Sequence, residues 1–358
     1  MSGFPIYELE GTPAQIGESA GKLFGDRIQS TYAFYEDLYA ELLRIGAEDS
    51  RERAALRSTI QEYADGFAET IRKWCPDYAV EIESSADAAK MPHWQVYALN
   101  SRTEIYRLIA VRMKSAVPGE CTALYFPQHR ILGQNWDWHP KLEELTVMLK
   151  VKQRSGQRMV MMTEPGIIGK IGVNSDGLGV CLNILFDQCK IEGLPIHILL
   201  RAVLDSSDTK TALSTLERLP RGTVSNVLIA DRSGDAVDVE LRGAELRRVA
   251  LPGGELIHTN HYLADESTAS SAIPGSVHRL KRAEILHRQF QGQGLDGMKR
   301  LLADHESKEF PICRGYSQGL DFMIGTVASI IIVTGRSELW IASGQNAVRN
   351  EWRVISAV

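Results

Sequence analysis

One short region of this sequence concentrates residues able to do chemistry. Gly119-Glu120-Cys121-Thr122 sets a cysteine behind a Pro118-Gly119 turn signal, at the opening of the strand-like run CTALYFP. Alone, such a cysteine reads as a small buried hydrophobe. Sixteen residues on from Cys121 stands Asp137, in the run Gly133-Gln134-Asn135-Trp136-Asp137-Trp138. The period of two in a strand puts Asn135 and Asp137 on one face and Trp136 and Trp138 on the other. Aspartate is depleted from strands, and its charge is costly to bury alone. Asp137 therefore needs either backbone amides or an arginine as a structural partner, or a reactive group to orient. The run His258-Thr259-Asn260-His261 raises metal ligation as another chemistry, with His139 elsewhere. Against it, rings three apart on a strand end point to opposite faces, and no HExxH occurs. A conventional thiol enzyme would need His139 or His261 beside Cys121.

The elements that must position these residues change character at Pro118-Gly119. Before it the chain reads as helical. Thr12-Pro13-Ala14-Gln15 is a capping-box start, and Ile16, Ala20, Phe24, Ile28 and Tyr35 recur at helical spacing. Gly17, Gly21 and Gly25 fall four apart on that helix and read as close helix packing rather than a ligand site. Further helices are expected near 51–74 and after Pro92, where Trp94, Tyr97 and Tyr106 are core residues or walls of a substrate pocket. From Cys121 onward four hairpins are expected: CTALYFP with ILGQNWDW, TVMLKVKQ with RMVMMTE, IIGKIGVN with LGVCLNIL, and SNVLIADRSGDAVDVEL turning on itself. Helical zones at 196–219 and 277–303 interrupt the strands, and late strands fall at 327–333 and 338–342. Antiparallel hairpins with helices before, between and after them suggest layered α+β structure.

Composition narrows the function. The chain has 358 residues, 44% hydrophobic and 24% charged, which excludes a disordered, collagenous or disulfide-scaffold protein. A net charge of −5 lacks the electrostatic footprint of a nucleic-acid binder. No apolar run reaches the length of a membrane span, and the N-terminus has no basic, apolar leader pattern. The five cysteines offer no CxxC, so free thiols and a cytoplasmic location are expected. GxGxxG and P-loop motifs are missing, and dinucleotide and ATP chemistry have no support.

Taken together, Cys121-Thr122 and Gly133–Trp138 resemble the acyl-coenzyme A:6-aminopenicillanic acid acyltransferase family, also called peptidase C45, among the N-terminal-nucleophile hydrolases. The likeness continues down the chain in order. Gly169-Lys170-Ile171-Gly172-Val173-Asn174 with Gly177–Asn183 is similar to the family's central hairpin, His258–His261 to its Thr-Asn-His segment, and Ile312-Cys313-Arg314 with Thr326–Ser329 to its C-terminal end. The resemblance implies an αββα sandwich of two antiparallel sheets between helical layers, and no cofactor. It implies self-cleavage between Glu120 and Cys121. The products would be a helical fragment 1–120, which stays associated, and a fragment 121–358, together one globular unit. Glu120 stands where family members often carry glycine.

Carried over residue by residue, the resemblance gives Cys121 as nucleophile and, through its freed amine, base. Asp137 becomes the carboxylate beside it and Asn260 the oxyanion donor. Asn135, Thr122 and Arg314 are further candidates for substrate or oxyanion contact, and Arg336 competes with Arg314 as the family's late arginine. A thiol with a pKa of about 8.5 is mostly protonated at neutral pH, whereas a free α-amine titrates at about 7.7–8.0 and can take its proton. The expected partner is a small-molecule amide or acyl donor, with no nucleic acid and no membrane, and with the oligomeric state open. A binding protein of the same fold, unprocessed, is the competing reading.

Overall fold

The computed structural model describes residues 3–113, 121–264, 274–318 and 323–358. The segment holding Glu120 lies outside them. The chain opens with β1 (Ile6–Gly11), then α1 (Pro13–Leu42), α2 (Ser50–Trp74), α3 (Pro76–Ala88), α4 (His93–Asn100) and α5 (Arg102–Met113). Next come β2 (Thr122–Phe126), β3 (Ile131–Trp138), α6 (Leu142–Leu145), β4 (Val147–Gln153), β5 (Arg158–Thr163), β6 (Ile171–Asn174) and β7 (Gly179–Ile184). They are followed by α7 (Ile196–Leu204), α8 (Thr209–Arg218), β8 (Thr223–Ala230), β9 (Ala236–Gly243), β10 (Glu245–Val249) and β11 (Ile257–His258). The last elements are α9 (Pro274–Phe290), α10 (Gly294–Leu302), β12 (Ser317–Gln318), β13 (Met323–Val333), β14 (Glu338–Ser343) and β15 (Arg353–Ser356).

The strands form two sheets, ordered β1-β4-β5-β6-β7-β8-β9-β10 and β11-β2-β3-β13-β14-β15, with β12 on β13. All four hairpins expected from turn dipeptides are present, and every ladder is antiparallel except β1 on β4. That parallel pair corrects the purely helical reading of the N-terminal segment. Six residues whose partner lies about 140 positions on carry no local hairpin signal, so only the tertiary fold defines β1 as a strand.

Position 179 shows how the sheets stack. A Cβ there would sit 2.7 Å from Ile332 and 3.0 Å from Leu132 of the other sheet, so only glycine allows this closeness. Positions 181 and 183 share that inward face. Between the sheets, Gln134 Nε2 donates to Asn183 Oδ1 at 3.2 Å, and Asn183 Nδ2 donates to Asn226 Oδ1 at 3.2 Å and His258 O at 3.0 Å. The second sheet's outer face is closed by α9 and α10, whose Leu280, Ala283, Leu286, Met298 and Leu301 pack on Leu124, Phe126, Ile131 and Ile331. Helix α7 packs against β6, β7 and β8, and α1 against β1 and β4. The result is the α+β sandwich of two sheets between helical layers. No described helix is long and apolar enough to cross a membrane.

On α1 the glycine stripe does what packing requires. The Thr12–Gln15 capping box forms, and a Cβ at Gly17 or Gly21 would lie 2.1 Å from Glu81 O or 2.5 Å from Ser85 O of α3.

Candidate active site

Cys121 is the residue just before β2, and β2 pairs with β3 so that Thr122 faces Asn135. This register brings the cysteine alongside the end of β3. Its S–H donates to the main-chain oxygen of Asp137 at 3.8 Å, the only hydrogen bond of the sulfur among the described residues. Burial pushes the Cys121 thiol up to about 12, and the Asp137 charge adds to this; Arg279 and Lys170 pull the other way. Asp137 is fully buried, lies opposite Thr326 of β13, and its charge also reaches Cys313 and Tyr316. The alternation read from the sequence holds along all of β3.

Two other expected residues, Thr122 and Asn260, converge here. The Thr122 hydroxyl and the Cys121 carbonyl both accept from Arg279 Nη1, at 2.9 and 2.5 Å. Arg279 Nη2 donates to Asn260 Oδ1 at 3.0 Å, while Asn260 Nδ2 gives one hydrogen to Ile184 O at 2.8 Å. An amide nitrogen carries two hydrogens, so the second remains to donate. Ser276 Oγ accepts from Asn260 N at 2.7 Å and meets His261 Nδ1 at 2.7 Å. Hydrogen bonds to a charged group contribute about 1.5–3 kcal/mol each, which fixes this corner firmly.

The remaining candidates lie apart. Asn135 turns outward, its Nδ2 donating to Leu302 O and Ile312 O, both at 2.8 Å, and so ties α10 and the following loop to β3. Arg314 lies beside the site through its main chain, bonded to the Thr326 hydroxyl at 2.8 Å, while its guanidinium reaches Ser317. Arg336 is exposed at the far end of β13 and pairs with Glu338. His258 binds Glu240 at 2.9 Å and His261 binds Ser276, so neither ring is the partner of the sulfur. His139 accepts from Lys141 N at 3.1 Å. Tyr106 packs edge-on to Trp138; Trp94 and Tyr97 pack within the helical layer against Tyr32 and Arg72.

On the tryptophan face of β3 lies a charged cluster to which the sequence assigned no role, although Lys170 falls in the segment similar to the family's central hairpin. Lys170 Nζ sits 3.3 Å from the centre of the Trp136 ring and is ion-paired with Glu164, which also binds Arg102 at 2.8 Å and the Tyr35 hydroxyl. Burial brings Lys170 down to about 7, and the Cys121 sulfur is among the groups that feel its charge. Burial alone would raise Glu164, but Arg102 and Lys170 hold its carboxyl far below the usual range. Arg279 was also missed. It belongs to the basic stretch His278-Arg279-Leu280-Lys281-Arg282, and its one signal is its helical spacing from Ser276, Ala283 and His287 on the buried face of α9.

Comparison with known proteins adds the lineage. The model of the acyl-coenzyme A:6-aminopenicillanic acid acyl-transferase family matches residues 126–348. This chain belongs to that family. Among the acyltransferases it resembles is the 40 kDa form of acyl-coenzyme A:6-aminopenicillanic-acid-acyltransferase from Emericella nidulans, 28% identical over 318 residues, which are 87% of this chain and 84% of the relative. Among solved structures, an N-acylethanolamine-hydrolyzing acid amidase ortholog from Caenorhabditis elegans aligns with TM-score 0.43 and 13% identity, over 66% of this chain and 99% of its own. A mutant conjugated bile acid hydrolase from Clostridium perfringens aligns with TM-score 0.46 and 14% identity, over 66% and 92%. The acyl-transferase match takes in Asp137, Lys170, Asn260 and Arg279, and begins after Cys121.

Proposed function

We propose that this enzyme is an N-terminal-nucleophile cysteine amidohydrolase or N-acyltransferase, acting on a small-molecule amide or thioester through an acyl-enzyme at Cys121. The observation that carries the reading is the convergence on one residue. The Asp137 main-chain oxygen accepts from the Cys121 sulfur and the Asp137 charge reaches that thiol, while Arg279 joins the Cys121 carbonyl to the Asn260 amide. Cleavage of the Glu120–Cys121 bond leaves Cys121 as the head of a 238-residue fragment. Its α-amine is then a base on the same residue as the thiol.

In the first half-reaction the sulfur bonds to the substrate carbonyl carbon and its proton passes to the α-amine. The carbonyl electrons move onto oxygen, where the second hydrogen of Asn260 Nδ2 meets them. A donor of this kind contributes about 2.7–4 kcal/mol to the transition state. When the oxyanion collapses, the carbon–nitrogen bond breaks and the leaving amine takes the proton from the ammonium. Water or a second amine then attacks the thioester by the same steps in reverse order, and the thiol is restored. Asp137 orients the ammonium. The buried thiol of the uncut chain, pushed up to about 12, is protonated at neutral pH, which supports a requirement for the freed amine.

Intact-mass measurement with N-terminal sequencing tests this directly. The active protein should hold a fragment beginning at Cys121. Cys121→Ala should give one uncut chain with no turnover, and Cys121→Ser slow cutting with most activity lost. An active enzyme with residues 120 and 121 still joined, or a fully active Cys121→Ala, ends the proposal. An uncut wild-type chain that does not react with thiol-directed acylating probes would favour a binding protein instead.

A further inference from the structure

An asparagine donates to a developing oxyanion only when its nitrogen, and not its oxygen, faces the reacting carbon. The two ends of the amide are nearly the same shape, so packing alone selects weakly between them. Around Asn260 the choice is made by charge. Its Oδ1 accepts from Arg279 Nη2 at 3.0 Å and its Nδ2 donates to Ile184 O at 2.8 Å. Rotating the amide by half a turn would set two donors against each other at the guanidinium and two acceptors at Ile184. Its main-chain nitrogen is fixed as well, by Ser276 Oγ at 2.7 Å, on the same helix as Arg279. The other arm of the guanidinium reaches the nucleophile, with Nη1 on Cys121 O at 2.5 Å and Thr122 Oγ1 at 2.9 Å. Arg279 is fully buried. A planar fork with fixed donor directions can bridge these groups, whereas an ammonium is a single point.

We propose that Arg279 is the positioning residue of the acyl-transfer centre, setting the Asn260 amide with its nitrogen toward the reacting carbonyl while holding the main chain of Cys121 at a constant offset from it. The proposal rests on the reading of Cys121 and Asn260 given above. Arg279 acts through Asn260 and the Cys121 backbone; it does not touch the reacting atoms. Misplacing an oxyanion donor weakens the transition state and leaves ground-state binding unchanged, so the loss falls on kcat rather than on KM.

A double-mutant cycle between Arg279 and Asn260 decides the matter, read with an N-acyl 4-nitroanilide as probe on cut, full-length enzyme. Arg279→Met should lower kcat 30- to 300-fold with KM within threefold, Asn260→Ala should do the same, and the double variant should match the worse single within threefold. Arg279→Lys keeps the charge and should still lose at least fivefold in kcat, which covers failure of the methionine variant to fold. Wild-type kcat in Arg279→Lys, a loss confined to KM, or losses that multiply in the double variant would each overturn the positioning role. Cys121→Ala, run alongside, separates this from the parent reading. Turnover surviving there removes the Cys121 acyl-enzyme, whereas loss of turnover there with multiplying effects in the cycle removes only Arg279. A wild-type chain that neither cuts nor turns over the probe removes both.

Discussion

Glu104 is buried in the helical layer next to the sandwich, and burial raises its carboxyl to about 7 against the weaker pull of the Thr223 hydroxyl and the Ile196 amide. In the unfolded chain a glutamate titrates at about 4.3. Between those values the folded state holds a proton that the unfolded state has released, so this group's contribution falls as pH rises from about 4.3 to about 7 and is constant above. Glutamine cannot ionise. Glu104→Gln should therefore gain on the wild type by on the order of 3 kcal/mol between pH 5 and pH 8, read from urea midpoints. An equal gap at both pH values would show that Glu104 ionises freely in the fold. Of the site residues, those with an unusual local setting were legible. Asp137 stood out as a charge on a strand between tryptophans, and Asn260 through its resemblance to a family segment. Arg279 and Lys170 were not, because a buried cation looks like any surface arginine or lysine until its partners, here over a hundred residues away for Arg279 and Cys121, are brought against it.

Elements bounded by strong turn or capping chemistry were readable, and those defined by a distant partner were not. The hairpins around Ser155-Gly156, Ser175-Asp176-Gly177 and Ser233-Gly234 announce themselves because glycine supplies the positive φ at each turn. By contrast β11 and β12 are two residues each and exist only through their ladders with β2 and β13. The glycine stripe of α1 offers a test at this scale. Alanine favours a helix over glycine by about 1 kcal/mol, but at position 21 its methyl would meet Ser85 O at 2.5 Å. Overpacking of this kind costs about 1–3 kcal/mol. Gly21→Ala should thus lower the thermal midpoint, while Gly66→Ala on α2, with open space around its added carbon, should raise it by up to about 1 kcal/mol of stability. If both substitutions stabilise, the α1–α3 contact is looser than the geometry says.

At the scale of the whole molecule, the segment before Cys121 is built into the enzyme. β1 forms the edge of the eight-stranded sheet, and Ile28, Tyr35, Tyr97 and Tyr106 share one core with Trp136, Met161 and Val327. We therefore expect both fragments to stay together after cutting and to separate only in denaturant, as gel filtration with and without urea will show.

The guanidinium of Arg353 donates to the Phe4 carbonyl at 3.2 Å, so the last strand of the fold starts beside the start of the first. With the two strands side by side, a rearranged gene can be built in which a flexible linker runs back along β1 to join 358 to 1, and translation begins at Cys121 once the initiator methionine is trimmed. Such a circular permutant would be born with the sulfur already leading the chain and with no bond left to cut. Activity in it, without any self-processing, would show that the proposed scission serves only to expose that residue, and would make that step a matter of gene order rather than of catalysis.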